Sequence, residues 1–291
     1  VRDKKTPSPL TEAHITSISD RRFFGESYLS ELTGEYIFRS PSVRPDISEL
    51  NSAVANGSVL GAEWELFFHR APCDIFAVTG SDGKTTTSSI IAEILRKAGK
   101  TVYLGGNIGH PLLAEAKDMK VDDLVVLELS SFQLLTMKKS PHIAVMTNLA
   151  PNHLDVHKDF AEYISAKENN FTHQSAEDIA VFNYDNAITR EQSSRARGAV
   201  RMFSRREELE EGVFLRGGAI IWRKNGAERE VMRVSDIRLP GAHNIENYMA
   251  AIAAVEGLVS DDAVRCVAKN FGGVEHRIEL VRIKDGVRYY N

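Results

Sequence analysis

The sequence predicts an α/β fold with a mostly parallel central sheet and helices on both of its faces. From Asp74 onward, short apolar runs typical of buried strands alternate with stretches of helical spacing. Polar residues suited to ligand binding follow directly after several of these runs. Parallel strands end at one edge of a sheet, and ligands bind there, so both observations indicate this fold class.

The individual elements follow from local patterns. The predicted strands are 74–79, 101–104, 124–127, 142–147 and 178–182, and the predicted helices are 46–60, 84–98, 160–171, 243–259 and 261–270. Between residues 200 and 234, β-type runs interrupted by Gly217-Gly218 and Asn225-Gly226 predict a hairpin insertion. Residues 278–290 alternate like a single edge strand.

Length and composition limit the function classes. A chain of 291 residues predicts two or more domains. Its 36 basic and 40 acidic residues give a net charge of −4, so we expect no nucleic-acid partner. No apolar run approaches the length of a membrane span. The two cysteines, Cys73 and Cys266, have no metal-binding neighbours in sequence, which fits a cytoplasmic protein.

A glycine-containing segment between a predicted strand and a predicted helix is typical of a phosphate-binding loop. The segment consists of Gly80, Ser81, Asp82, Gly83, Lys84, Thr85 and Thr86. We expect Lys84 to neutralise the β- and γ-phosphates of a nucleotide and Thr85 to hold Mg²⁺. The spacing is shorter than the usual motif, because Val78 stands at the outer glycine position. The alternative is a glycine turn followed by a solvated lysine.

Polar residues at three other predicted strand ends add to this site. Glu128 follows residues 125–127 and would place a carboxylate, a ligand suited to Mg²⁺, beside the loop. Asn107 stands between glycines, and His153 follows the strand at 142–147. Each residue also has a simpler interpretation when taken alone. Glu128 could cap the next turn, Asn107 could be a turn residue, and His153 could be a structural or exposed histidine.

Together these segments resemble the Mur ligase family of peptidoglycan synthesis over nearly the whole chain. The loop is similar to the family's short phosphate loop, residues 241–247 to its G-x-H-N-x-x-N segment, and His276-Arg277 to its H-R segment. The run E-L-S-S-F-Q-L at 128–134 and Gly105-Gly106-Asn107-Ile108-Gly109 most resemble the member that adds D-glutamate.

The resemblance implies three regions and a bound nucleotide. It places a partial Rossmann-like domain for a UDP-linked precursor at 1–62, a central P-loop-type ATP-binding domain at 63–273, and the start of a third Rossmann-like domain at 274–291. It implies ATP and two Mg²⁺ ions as cofactors.

The resemblance also implies roles residue by residue. Lys84 and the loop amides would hold ATP phosphates, and Thr85 with Glu128 would bind one Mg²⁺. His153 and a carbamylated Lys167 would bind a second Mg²⁺. The remaining expected contacts are Asn244, Asn247 and Arg277 with ATP, and Asp3, Asn107 and Ser130 with the precursor. From the residues alone, a solvated helix lysine is the preferred interpretation of Lys167, and the alternative for Asn244 and Asn247 is helix capping.

The implied activity is ATP-dependent addition of D-glutamate to UDP-N-acetylmuramoyl-L-alanine through an acyl phosphate, by a monomer. Another Mur ligase activity, a folylpolyglutamate synthetase-like activity and a non-catalytic nucleotide-binding module are the alternatives.

The chain departs from the family pattern in two respects. Ser42 stands where the family more often has glycine, which puts the precursor diphosphate contact there in doubt. No glycine-rich loop precedes Asp3, so we expect the first strand, its loop and the first helix of that domain to be missing. We also expect the third domain to continue beyond Asn291.

Overall fold

The structure of the chain, a computed structural model, describes residues 2–5, 7–8, 11, 19, 22–109, 111–151, 157–273, 280–284 and 287–290. The chain divides into two compact units, residues 1–63 and residues 64–291. Each unit contains its own sheet structure.

Among its described residues, the first unit contains two small parallel strand pairs and the helix α1 (Ser48–Ala55). Strand β1 (Arg2–Asp3) pairs with β2 (Phe23–Phe24), and β3 (Tyr36–Phe38) pairs with β4 (Val59–Gly61). Helix α1 buries Leu50 and Ala53. The predicted helix over 46–60 was too long, because Gly57 has a φ of +99° and the chain then turns into β4.

The second unit is built on a nine-stranded sheet, which confirms the predicted fold class. Its strands are β5 (Asp74–Thr79), β6 (Val102–Gly106), β7 (Leu124–Glu128), β8 (Ile143–Met146), β9 (Ile179–Asn183), β10 (Ala199–Ser204), β11 (Gly212–Arg216), β12 (Ala219–Lys224) and β13 (Ala227–Arg233). The strand order is β13-β12-β11-β10-β9-β8-β5-β7-β6. All neighbouring pairs from β6 to β11 are parallel, and β11, β12 and β13 are antiparallel to one another.

Helices cover the sheet of the second unit. They are α2 (Glu63–Arg70), α3 (Lys84–Lys97), α4 (Ser131–Leu134), α5 (Phe160–Glu168), α6 (Ala187–Gln192), α7 (Ala242–Val255) and α8 (Asp261–Asn270). Alternate residues of β5 face opposite layers. Phe76 and Val78 pack in one core cluster with α3, α7 and α8, whereas Ile75 and Ala77 pack in a second cluster with α2. This packing fixes the carboxyl end of β5, where the phosphate loop begins.

Two sequence predictions about strands are wrong. The residues between 200 and 234 are not an insertion, because β11, β12 and β13 continue the central sheet beyond β10. Strand β10 was not predicted: its first four residues are exposed or half-buried, so it has no continuous apolar run. The predicted hairpin turns at Gly217-Gly218 and Asn225-Gly226 do join these strands.

The predicted single strand over 278–290 is also wrong. The structure contains an antiparallel pair, β14 (Leu280–Lys284) and β15 (Val287–Tyr290). In the sequence these strands are separated by Asp285-Gly286, a dipeptide that favours hairpin turns.

Candidate nucleotide and magnesium site

The phosphate loop joins β5 to α3 and requires glycine at two positions. Gly80 has a φ of +154°, and a Cβ atom there would lie 2.0 Å from Thr147 Oγ1. Gly83 has a φ of +78°, and a Cβ atom there would lie 2.4 Å from Asn247 Oδ1. Side chains are therefore excluded at both positions by the backbone conformation and by close neighbours.

The segment after β8 holds the loop in this conformation. Ser81 N donates to Asn148 O and Asp82 N donates to Asn148 Oδ1, both at 2.9 Å. Thr147 Oγ1 donates to Asp82 O at 2.6 Å. Neither Thr147 nor Asn148 was predicted from the sequence, although Asn148 directly follows a predicted strand at the edge where ligands bind.

Lys84 is the first residue of α3, and its ammonium group lies over the loop. Lys84 Nζ donates to Ser81 O at 2.8 Å and to Gly80 O at 3.1 Å. The helix N-terminus adds a partial positive charge at the same place. The loop, the lysine and the helix end together form an arrangement that binds phosphate groups.

Thr85 and Glu128 form a buried pair of oxygen ligands beside the loop. Strand β7 lies next to β5, and Thr85 Oγ1 donates to Glu128 Oε2 at 2.6 Å. Asn107 Nδ2 donates to the other oxygen, Glu128 Oε1, at 3.0 Å. Thr85 is 4 % exposed and Glu128 is 2 % exposed. A hydroxyl and a carboxylate in contact are chemically suited to one Mg²⁺ ion.

Lys167, on α5, is buried at the base of the loop. It is 2 % exposed, and its Nζ donates to Gly80 O at 2.8 Å and to Thr79 Oγ1 at 3.0 Å. Burial, and next the charge of Lys84, hold the pKa of the Lys167 amine well below its usual value, while Glu128 opposes that shift. The alternative of a solvated helix lysine is therefore wrong.

Tyr163 contributes a contact that the sequence did not predict. It lies one turn before Lys167 on α5, with its hydroxyl 2.9 Å from Ser81 Oγ. Because Ser81 Oγ donates to Ala150 O at 2.9 Å, the phenol is the donor to Ser81. Lys167 Nζ lies 4.9 Å from the centre of the Tyr163 ring. Burial raises the pKa of the Tyr163 phenol, so it keeps its proton. The i, i+4 spacing to Lys167 was the available sequence signal.

A pocket of about 380 Å³ opens beside the loop turn. Its lining residues are Asp82, Gly83, Thr147, Asn148, Phe203, His243, Glu246 and Asn247. Asn247 Oδ1 accepts from Thr87 Oγ1 at 3.2 Å, and Asn247 Nδ2 donates to Asn244 Oδ1 at 3.1 Å. Asn244 is 2 % exposed, is not among the lining residues and donates to Pro240 O at 2.7 Å. Asn247 therefore forms part of the pocket wall, and Asn244 fixes its orientation.

The remaining predicted site residues either lie outside the described residues or make local contacts in their own part of the chain. His153 and Arg277 lie outside the described residues. Asp3 belongs to the first unit, where its Oδ1 accepts from Lys5 N at 2.8 Å. Ser42 is in the same unit, with its Oγ 3.0 Å from Ser40 Oγ. Ser130 caps α4, and its Oγ accepts from Gln133 N at 3.3 Å.

Two kinds of feature are absent from the described part of the chain. No group of three or more histidine, cysteine, aspartate or glutamate side chains there is placed to hold a metal ion. A magnesium ion at Thr85 and Glu128 would also take phosphate oxygens or water as ligands. None of the helices described is long and apolar enough to cross a membrane.

A glycine loop between a parallel strand and a helix, with a lysine and two oxygen ligands beside it, defines a nucleotide-binding α/β domain. The family described as the Mur ligase middle domain matches residues 78–255. The chain belongs to the Mur ligase family, which confirms the resemblance seen in the sequence.

Relatives with established names are similar over most of this chain. The UDP-N-acetylmuramoylalanine–D-glutamate ligase of Acetivibrio thermocellus is 53 % identical over 268 residues, covering 92 % of this chain and 58 % of the relative. The enzyme of the same name from Ruminiclostridium cellulolyticum is 48 % identical, covering 99 % of this chain and 63 % of the relative. The chain thus spans about three fifths of the length of these relatives.

Solved structures confirm the fold at lower identity. UDP-N-acetylmuramate:L-alanyl-gamma-D-glutamyl-meso-diaminopimelate ligase from Neisseria meningitides matches with a TM-score of 0.60 and 19 % identity, covering 94 % of this chain and 90 % of that one. A UDP-N-acetylmuramoyl-L-alanyl-D-glutamate–2,6-diaminopimelate ligase matches with a TM-score of 0.61 and 22 % identity, covering 88 % of this chain and 64 % of that one.

Proposed function

We propose that the chain is the nucleotide-binding part of an ADP-forming ligase that adds D-glutamate to UDP-N-acetylmuramoyl-L-alanine in peptidoglycan synthesis. The names and identities of its relatives support the substrates. The observation that carries the proposal is the grouping of Lys84, the Thr85–Glu128 pair and Lys167 around one loop. In this proposal residues 1–62 belong to the precursor domain, 63–273 to the ATP domain and 274–291 to a third domain.

The reaction requires two anions to approach each other. The precursor carboxylate attacks the γ-phosphorus, a carboxylate oxygen–phosphorus bond forms, and the bond to ADP breaks. The amine of D-glutamate then attacks the acyl carbon, an amide bond forms, and inorganic phosphate leaves with the proton that the nitrogen loses. Two unit charges about 4 Å apart repel by about 4 kcal/mol at an effective dielectric of roughly 20. Uncompensated, such a repulsion slows a reaction roughly a thousandfold. The positive charge of Lys84 offsets this repulsion at the phosphates.

Thr85 and Glu128 would hold one Mg²⁺ ion, because both are buried oxygen ligands in contact with each other. Such an ion would supply positive charge that offsets the negative charge of the nucleotide phosphates. Asn107 fixes the orientation of the Glu128 carboxylate through its hydrogen bond to Oε1.

Lys167 is suited to carbamylation rather than to binding a metal as an amine. Its amino group is a hydrogen-bond donor to Thr79 Oγ1 and Gly80 O, and its depressed pKa favours the neutral, nucleophilic form. The amine nitrogen forms a bond to the carbon of CO₂ and releases one proton. The resulting carbamate supplies oxygen ligands, which with His153 would hold a second Mg²⁺ ion.

The test measures ADP release and product mass. The chain is assayed in two forms, alone and fused to the part of its Acetivibrio thermocellus relative that the match does not cover. Both assays contain ATP, Mg²⁺ and the precursor. We expect the fusion protein to release ADP with D-glutamate and not with L-glutamate, L-lysine or diaminopimelate. ADP release with a different amino acid would identify another Mur-type ligase. Tight ATP binding without ADP release for any precursor would contradict the ligase assignment.

We further propose that the protein acts as a cytoplasmic monomer without a nucleic-acid partner. Its net charge of −4 gives no general attraction for nucleic acid, and the buried Cys73 and half-buried Cys266 are free thiols. Gel filtration with light scattering tests the oligomeric state, and a dimer mass at micromolar concentration would contradict it.

A further inference from the structure

We propose that Glu246 is a specificity-determining residue that accepts a hydrogen bond from the nucleoside end of ATP. Neither the family match nor the sequence analysis assigns it a role. The inference rests on the proposed ATP binding and concerns the pocket beside the loop turn.

The position of this pocket determines which part of a nucleotide enters it. Asp82 and Gly83, at the loop turn, form its inner edge, and Phe203 and His243 form other parts of the lining. A triphosphate held by the loop amides and Lys84 would therefore direct its sugar and base into the pocket. The volume of about 380 Å³ is of the order that encloses a small ligand.

The carboxylate of Glu246 is held in a fixed orientation. Arg205 Nε donates to Glu246 Oε1 at 2.7 Å, and Arg205 is not among the pocket-lining residues. Arg205 is itself fixed at the end of β10, because its backbone N–H donates to Asp185 Oδ2 at 2.8 Å. Ser204 Oγ donates to the other oxygen of Asp185 at 2.5 Å. Arg205, which is not a lining residue, thus holds one oxygen of Glu246.

The second oxygen of Glu246 remains available to a ligand. Within the described part of the chain, Oε2 receives no hydrogen bond, and the Glu246 side chain is 25 % exposed. An ionised carboxylate is an acceptor only. The partner of Oε2 must therefore be a hydrogen-bond donor of the ligand.

The charge of ATP restricts the nature of that donor. The phosphates repel a carboxylate, so Glu246 is compatible with ATP only where Arg205 offsets its charge and a neutral donor faces it. The nucleoside offers two kinds of neutral donor, the ribose hydroxyls and the 6-amino group of adenine. Both share the chemistry of a neutral donor facing an acceptor, and nucleotide analogues distinguish them.

If the Arg205–Glu246 ion pair only held α7 to the end of β10, nucleotide affinities would change in a different way. Loss of such an ion pair would weaken all nucleotides by the same factor. Loss of a ligand contact weakens only the nucleotide that makes it, because an analogue without the donor has no hydrogen bond to lose.

The test is a comparison of nucleotide affinities by isothermal titration calorimetry on the whole chain with Mg²⁺. The ligands are ATP, 2′-deoxyATP, 3′-deoxyATP and inosine triphosphate, and the variants are Glu246→Ala and Glu246→Gln. The control is Glu256→Ala at the other end of α7, where Glu256 also pairs with an arginine, Arg229. Thermal melts of each variant report folding.

We expect at least one analogue to bind the wild-type chain about tenfold more weakly than ATP, a difference of about 1.4 kcal/mol. Weaker binding of a deoxy analogue would indicate that the donor is a ribose hydroxyl, and weaker binding of inosine triphosphate would indicate the 6-amino group. Glu246→Ala should weaken ATP about tenfold and leave that analogue unchanged. Glu246→Gln keeps an acceptor oxygen, so it should retain part of the difference in affinity between ATP and that analogue. Glu256→Ala should retain the whole difference.

Two results would overturn the inference. One is equal binding of all four nucleotides by the wild-type chain, and the other is an equal loss for ATP and analogues in Glu246→Ala. Absence of ATP binding by the folded wild-type chain would instead overturn the proposed function, and the inference with it.

Discussion

At the scale of single residues, the site contains two lysines in different surroundings. Lys84 is half-buried at the start of α3, whereas Lys167 is buried behind the loop with two hydrogen-bond acceptors. The first is placed to contact phosphate and the second to be modified. The burial of Lys167 leads to a prediction about how stability depends on pH, and Glu128 beside the loop leads to one about magnesium.

Lys167→Met should stabilise the chain and reduce the dependence of its stability on pH. The folded-state pKa of Lys167 lies below its ordinary value of 10.5, so the unfolded chain binds more protons between these two values. Stability from this residue therefore rises as pH rises toward 10.5 and falls as pH is lowered through the folded-state pKa. Methionine leaves Gly80 O with its hydrogen bond from Lys84.

The measurement is thermal unfolding at neutral and alkaline pH in CO₂-free buffer. At neutral pH we expect a midpoint about 2–4 °C higher in Lys167→Met, the shift that about 1 kcal/mol produces in a chain of this size. At alkaline pH the difference should shrink. An equal difference at both pH values would show that the amine does not titrate differently on folding.

Glu128→Gln should remove the contribution of magnesium to ATP binding. The amide keeps the shape of the side chain but lacks the charge that a hard divalent cation requires. We expect Mg²⁺ to tighten ATP binding to the wild-type chain at least about tenfold, and this increment to disappear in the variant. The comparison uses calorimetry with Mg²⁺ and with EDTA. An unchanged increment would show that the ion binds elsewhere.

At the scale of elements, α5 places two functional side chains against the loop. Tyr163 and Lys167 are one turn apart and contact Ser81 and Gly80, respectively. The helix begins at an N-cap, Asp159, whose carboxylate accepts from Glu162 N at 2.8 Å. The start of α5 is therefore coupled to the geometry of the loop.

Asp159→Ala should lower both stability and ATP affinity. Loss of an N-cap costs about 1 kcal/mol. Ser260→Ala is the matched control, because Ser260 caps α8 in the same way away from the loop. Both variants should lower the unfolding midpoint by similar amounts, but only Asp159→Ala should weaken ATP. Equal ATP affinities would show that α5 does not position the loop.

Local sequence patterns were sufficient to predict most strands. They were insufficient to predict contacts between residues that are far apart in the sequence. Residues 75–78 of β5 are a continuous buried apolar run, so the strand could be predicted within its observed bounds. Strand β10 could not, because its pairing with β9 and β11 depends on backbone hydrogen bonds rather than on apolar side chains. Asn148 and Tyr163 contact the loop from 66 and 82 positions away, so the local signals that point to them, a strand end and an i, i+4 spacing, do not specify these contacts.

At the scale of the whole molecule, the sheet brings residues from separate parts of the sequence to one edge. Strands β5, β7 and β8 are neighbours, so the loop, Glu128 and Asn148 follow three adjacent strand ends. Lys84 and Glu128 could be predicted because their motifs are local. The burial of Lys167 could not, because it depends on how α5 packs.

We expect this edge of the sheet to bind the phosphates of Mg²⁺–ATP through Lys84, and a pair of lysine variants on one helix tests this expectation. Lys84→Ala removes the lysine at the first position of α3, and Lys97→Ala removes the exposed lysine at its last. Calorimetry with ATP and Mg²⁺ should show affinity falling about a hundredfold or more for Lys84→Ala, since a charge contact with phosphate is lost. Lys97→Ala should bind like the wild-type chain. Equal affinities for the two folded variants would contradict the account.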